Sequence, residues 1–182
     1  MIRTTLLTTL ALLAALAIPA VAQDRTLTLS TTTAKPTVDG VVAKEEYPAT
    51  LTVGTAAVSL ARSADALSIA ISAQTKGWVA IGLGSDRMNG ATIFIGYVAN
   101  GKLELKIQQG RGHGHGDLES DALVASAGTE ENGVTTIELK LKPGAFIAKD
   151  QKELPFVMAW GGADSFVSIH AGRFTGTVKL AD

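Results

Sequence analysis

The chain has 182 residues, 16 Lys and Arg against 17 Asp and Glu, a formal net charge of −1 at pH 7, and 46% hydrophobic residues. A near-neutral balance gives no basic field for nucleic acid. Cysteine is absent, which excludes disulfide staples, a thiol nucleophile and a lipid-modified N-terminal Cys.

The first element is a leader. Residues 1–22 place Arg3 ahead of an apolar run that ends in Ala20-Val21-Ala22, the small-residue pattern that signal peptidase cleaves. A membrane-spanning helix needs about 20 unbroken apolar residues, and Thr4, Thr5, Thr8, Thr9 and Pro19 interrupt this run. Cleavage after Ala22 is therefore expected, with an exported product, periplasmic or extracellular, that has no membrane span. The mature chain, 23–182, has about 160 residues, enough for one domain with a good core.

Asp24 to Thr33 alternates Leu27 and Leu29 with Thr and Ser and predicts a strand at a sheet edge. Asp39-Gly40 predicts a turn. Short strands follow at Leu51 to Val53, Ala57 to Ala61 and Ala66 to Ala73, then at Trp78 to Ile81 and Ile93 to Val98, two runs bounded by glycines. Ala99-Asn100-Gly101 is a hairpin signal, with Leu103, Leu105 and Ile107 as the inward positions of the returning strand. After the Asn132-Gly133 turn, Thr135, Ile137, Leu139 and Leu141 alternate with Thr136, Glu138 and Lys140. Leu154 to Trp160, Phe166 to His170 and Phe174 to Leu180 predict the last strands, and Pro143 to Ala148 at most one helical turn. Many short strands with 19 glycines to turn the corners indicate an all-β fold, an antiparallel β-sandwich of immunoglobulin-like proportions. The acidic residues are spread over turns and expected solvent faces.

Two tracts carry candidate chemistry. In the loop Gly84-Ser85-Asp86-Arg87-Met88-Asn89-Gly90 every residue is small, polar or charged except Met88, so a soft thioether stands where a solvated side chain is usual. In Gly110-Arg111-Gly112-His113-Gly114-His115-Gly116-Asp117, His113 and His115 point the same way if the backbone is extended, and with Asp117 they form a second, less favoured candidate site for Cu(II) or Zn(II). Ordering three ligands on a Gly-dense loop costs entropy, so a mobile rim loop is the favoured reading. The sequence lacks G-x-S-x-G, H-E-x-x-H, a P-loop and G-x-G-x-x-G, and no catalytic constellation is found.

The stretch Gly77 to Val98, GWVAIGLGSDRMNGATIFIGYV, resembles the core of the DOMON family, specifically its haem b-binding cytochrome members, and the likeness extends over roughly Val38 to Leu180. Asp39-Gly40 followed by Glu46-Tyr47 resembles the start of DOMON-like and related carbohydrate-binding sandwich domains. The resemblance implies a DOMON-like sandwich in which a loop Met and a late His are axial ligands to iron, which fall here on Met88 and His170. Without Cys the haem b would be held non-covalently. Trp78, Phe94, Tyr97, Phe156, Met158, Trp160, Phe166 and Phe174 are candidates for an apolar wall, most of them as ordinary core. Arg87 and Arg173 are candidates to pair with the propionates. Met/His ligation fills both axial positions and suits electron transfer. The implied function is that of an exported b-type cytochrome exchanging single electrons with a separate redox protein, such as a membrane cytochrome or a dehydrogenase. The alternative is a haem-free module of the same fold that binds a carbohydrate or another ligand.

Overall fold

The computed structural model describes residues 25–181, so the leader lies outside the described residues. Twelve strands are formed among them: β1 (Thr26–Ser30), β2 (Ala49–Val53), β3 (Ala56–Arg62), β4 (Leu67–Ala73), β5 (Val79–Leu83), β6 (Thr92–Ala99), β7 (Lys102–Arg111), β8 (Gly114–Asp117), β9 (Leu123–Glu131), β10 (Val134–Leu141), β11 (Glu153–Trp160) and β12 (Gly172–Ala181). A single 3₁₀ turn spans Pro143–Ala145.

The strands make two sheets, one of seven in the order β1-β12-β11-β5-β6-β7-β8 and one of five in the order β2-β3-β4-β10-β9. Neighbours pair antiparallel except β1, which runs parallel to β12. The sequence explains the layering. Successive strand residues face opposite sides, so Val79, Ile81, Leu83, Phe94, Phe156, Met158 and Phe174 from one sheet meet Val58, Ile69, Ile71, Ile137 and Leu139 from the other in one continuous buried core. Asn100 and Gly101 carry φ of 53° and 72°, the left-handed pair that a two-residue hairpin between β6 and β7 requires.

Three expectations need correction. Phe166 to His170 alternates like a strand yet forms none, with a turn and a bend over 166–168, where the Trp78 indole bonds Ser168. The Gly/His tract is a paired hairpin end: β8 bonds to β7 with Gly110 opposite His115 and Gln108 opposite Asp117. Glu138 is fully buried although its strand parity turns it away from the core, because residues 31–48 fold back over that face. The Asp39 and Gly40 N–H groups donate to Glu138 Oε2 at 3.0 and 2.7 Å, and Tyr47 Oη donates to Oε1 at 2.6 Å.

Candidate functional site

The outer face of the seven-stranded sheet carries a second apolar cluster, separate from the core between the sheets. Its floor is built by register. Ala80 lies opposite Ala159 on one side and Ile95 on the other, and Gly82 lies opposite Val157 and Ile93. The central positions are therefore small and the flanking ones, apart from Ala159, branched. Buried Trp78, Ala80, Ala91, Ile93 and Ile95 pack there with half-buried Met88, Tyr97, Val157, Ala159 and Phe166.

Two segments pack on this floor. The first is the β5–β6 connection, which sets Met88 against the cluster. The second is the β11–β12 connection, residues 161–171, which runs back over the face. The Trp78 indole lies directly against Gly161, a position with no room for a side chain. Backbone bonds join Gly161 N to Trp78 O at 2.9 Å and Trp78 N to Ala163 O at 3.3 Å. The indole Nε1 donates to Ser168 Oγ at 2.8 Å. Phe166 rests on Tyr97 with ring centroids 4.8 Å apart, and Lys106 Nζ stands 5.3 Å from the Phe166 ring centre. With Phe166 and Ser168 turned inward, Val167 and Ile169 are left 91% and 86% exposed, and His170 is exposed beside them.

Of the aromatic residues that the sequence offered as a wall, only Trp78, Tyr97 and Phe166 belong to this face. Phe94, Phe156, Met158 and Phe174 are in the inter-sheet core, and Trp160 packs against that core. Arg173 is the cross-strand neighbour of Ala159, which puts it at the margin of the floor, and it is exposed. Arg87 is also exposed, with its Nε 3.1 Å from the carboxylate of Asp86.

The far margin is polar. His115 Nδ1 is 2.6 Å from Gln108 Oε1, Gln108 Nε2 donates to Asp117 Oδ1 at 2.7 Å, and Lys106 Nζ donates to Asp117 Oδ2 at 2.9 Å. A carboxylate only accepts, so Gln108 must turn its NH₂ to Asp117 and its oxygen to His115, which makes Nδ1–H the donor. The Gln108 hydrogen bond and then Lys106 hold the Asp117 carboxyl below its ordinary range. Among the described residues no group of three His, Asp or Glu side chains is placed to hold a metal ion.

A separate cleft of about 400 Å³ lies between the β6–β7 turn at Val98–Gly101 and residues 128–131. It contains none of the residues singled out from the sequence. No helix among the described residues is long and apolar enough to cross a membrane. The residues that reasoning from sequence missed are Ser168, Asn89 and Gly110; their role depends on long-range register, and only the glycine hints at it.

Among solved structures the fold is similar to the cytochrome domain of Myriococcum thermophilum cellobiose dehydrogenase, with a TM-score of 0.53 and 14% identity over 73% of this chain and 82% of that one. It is likewise similar to the cytochrome b domain of pyranose dehydrogenase from Coprinopsis cinerea, with a TM-score of 0.51 and 12% identity over 68% and 76%. A family 9 carbohydrate-binding module from Caldicellulosiruptor kristjanssonii, in complex with glucose, gives a TM-score of 0.50 and 12% identity over 86% and 95%. Among curated proteins no relative matches the sequence. The DOMON domain family model matches residues 54–152, a span that includes Met88 and stops short of His170. With more than half of its length matched and a β-sandwich of the same kind as these cytochrome domains, the chain belongs to the DOMON family.

Proposed function

We propose that this protein is an exported electron-transfer domain whose seven-stranded sheet would hold haem b on its outer face, with Met88 and His170 as the residues that would ligate the iron. The observation that carries the reading is convergence. Met88 packs on the same apolar cluster as Phe166, and Phe166 belongs to the connection that also bears His170. A thioether and an imidazole are a donor set that suits haem iron, and a floor of Ala80, Gly82 and Ala159 between Ile93, Ile95 and Val157 is the flat, dry surface that a porphyrin favours.

In this reading the bound haem supplies a single reversible electron, and the chain supplies the rest. Trp78 and Tyr97 line the face and exclude water. Arg173 at its margin, with Arg87 on the Met88 loop, pairs with the propionates. The redox partner is a separate protein, a membrane cytochrome or a dehydrogenase.

The test is reconstitution of the purified chain with excess haemin. The expected product is red, with a Soret band and the sharp reduced-state bands of six-coordinate low-spin haem. Met88→Ala should retain the haem but shift it toward high spin and lower its reduction potential, because the thioether favours ferrous iron. Wild-type protein without Soret absorbance would overturn the proposal. It would favour the second reading, a haem-free carbohydrate-binding module, which is supported by the likeness to the glucose-bound module and is testable by calorimetric titration with glucose.

A further inference from the structure

We propose that the β7–β8 hairpin is a clamp for Met88, with Asn89 and Gly110 as the positioning residues that determine where its thioether stands. For its functional meaning this rests on the haem-ligand reading above. Met has three rotatable bonds, and residues 86, 87, 89 and 90 around Met88 are exposed. Left to itself such a loop would spread the sulfur over many positions.

Contacts with the hairpin remove that freedom. Gly90 N donates to Gly110 O at 3.1 Å, Gly110 N donates to Ala91 O at 2.9 Å, and Ala91 N donates to Met88 O at 3.1 Å. From the turn between the strands, Gly112 N donates to Asn89 Oδ1 at 2.8 Å, while Ser85 Oγ closes the loop on Asn89 O at 2.9 Å. The Met88 carbonyl occupies the space that a Cβ on Gly110 would need, and the Met88 Cγ would stand 3.4 Å from that Cβ. A methyl there must move the Met88 backbone, since its neighbour is a main-chain oxygen and not a flexible side-chain tip.

The glycines of the tract are thereby separated by role. Gly110 is required by close approach, and Gly112 by its φ of 59°. A Cβ on Gly116 would meet open space, and one on Gly114 only ordinary contact.

The experiment compares Asn89→Ala, Asn89→Asp, Gly110→Ala and Gly116→Ala with wild type, first without haem. Peroxide oxidation of Met88, followed by peptide mass spectrometry, reports how well its sulfur is held, and fully buried Met158 serves as the internal control. Asn89→Ala should speed Met88 oxidation about fivefold, as expected for one lost hydrogen bond, and Asn89→Asp, which keeps the acceptor, should restore the slow rate to within about twofold. Gly110→Ala should be at least as fast as Asn89→Ala, and Gly116→Ala should match wild type. In the haem-loaded protein, Asn89→Ala and Gly110→Ala should lower the reduction potential and weaken the sulfur-to-iron charge-transfer band at unchanged haem content.

Unchanged oxidation and potential in Asn89→Ala would overturn the clamp, even if Gly110→Ala failed to fold. Wild type that took up no haem would instead refute the ligand reading, and the oxidation rates would still decide whether the clamp exists.

Discussion

The two sheets of the sandwich are each covered on the outside by a returning segment, and the two covers are fastened by different forces. Over the five-stranded sheet, Tyr47 packs with Ala61, Ala70 and Ala34, and one buried carboxylate, Glu138, accepts from Asp39, Gly40 and Tyr47. Glu46 braces the same segment by accepting from Thr37 N at 2.6 Å and Ala43 N at 3.0 Å. Over the seven-stranded sheet, the start of the cover is tied by backbone bonds between Trp78 and Gly161 and Ala163, while its middle rests on the floor through Phe166 and the indole bond to Ser168, with Val167 and Ile169 facing outward. Directional bonds to a desolvated carboxylate are costly to break one at a time, whereas apolar contact tolerates a new partner. The first cover is held by directional bonds to a buried carboxylate, and the second lies on the face to which the proposed function assigns the haem.

Substitutions on the two faces should therefore separate stability from ligand binding. The largest effect is expected at the closed face. Glu138→Ala leaves three donors without their acceptor and should lower unfolding free energy by about 4 kcal/mol, read from urea midpoints. Haem uptake in the absence of denaturant should persist; its loss would mean that the two faces are not independent.

At the other face, His170→Ala should weaken haem binding by more than about 100-fold while far-UV circular dichroism and the urea midpoint stay near wild type. A folded His170→Ala protein with full haem content would remove His170 from the ligand set.

A smaller effect is expected from Tyr47→Phe, about 1.5 kcal/mol for the lost hydrogen bond, and it sharpens the comparison through pH. Burial first, and then the bond to Glu138, push the Tyr47 hydroxyl far above its ordinary pKa of 10.0. Above about pH 10 the unfolded state thus binds fewer protons than the folded one, so the stability that Tyr47 confers is complete below that pH and falls as pH rises. Ultraviolet titration should find Tyr47 ionising only as the protein unfolds, and Tyr47→Phe should flatten the alkaline decline.

The smallest effect is expected from the double substitution of His113 and His115 with Ala, which should leave haem content and spin state as in wild type. Loss of haem in that variant would move the imidazole ligand to the hairpin.

The sandwich was legible because alternation survives wherever one face of a strand is buried, as in Thr135 to Leu141. β9 was not read, since Ala125, Ala127 and Gly128 give its pattern little hydrophobic contrast. β8 was not read either, because Gly-His-Gly-Asp has no strand propensity and owes its form to pairing with β7. Parity alone turned Glu138 toward solvent; only residues 31–48, folding back from about 100 positions away in the chain, reverse that. At the candidate site, Met88 stood out because thioethers are unusual in polar loops. Asn89 and Gly110 did not, since an exposed Asn and a Gly in a Gly-rich tract become informative only once β6 and β7 are set in register.

The parallel pairing of β1 with β12 has a kinetic consequence. Leu27 and Leu29 are core residues whose strand partners, Val178 and Leu180, lie about 150 positions later. Such a distant closure adds little to the loop entropy beyond what shorter loops already cost, but it cannot form until the last strand has left the ribosome. The β1 edge of the seven-stranded sheet thus stays open in any nascent or partly folded chain in which β12 is not yet in place.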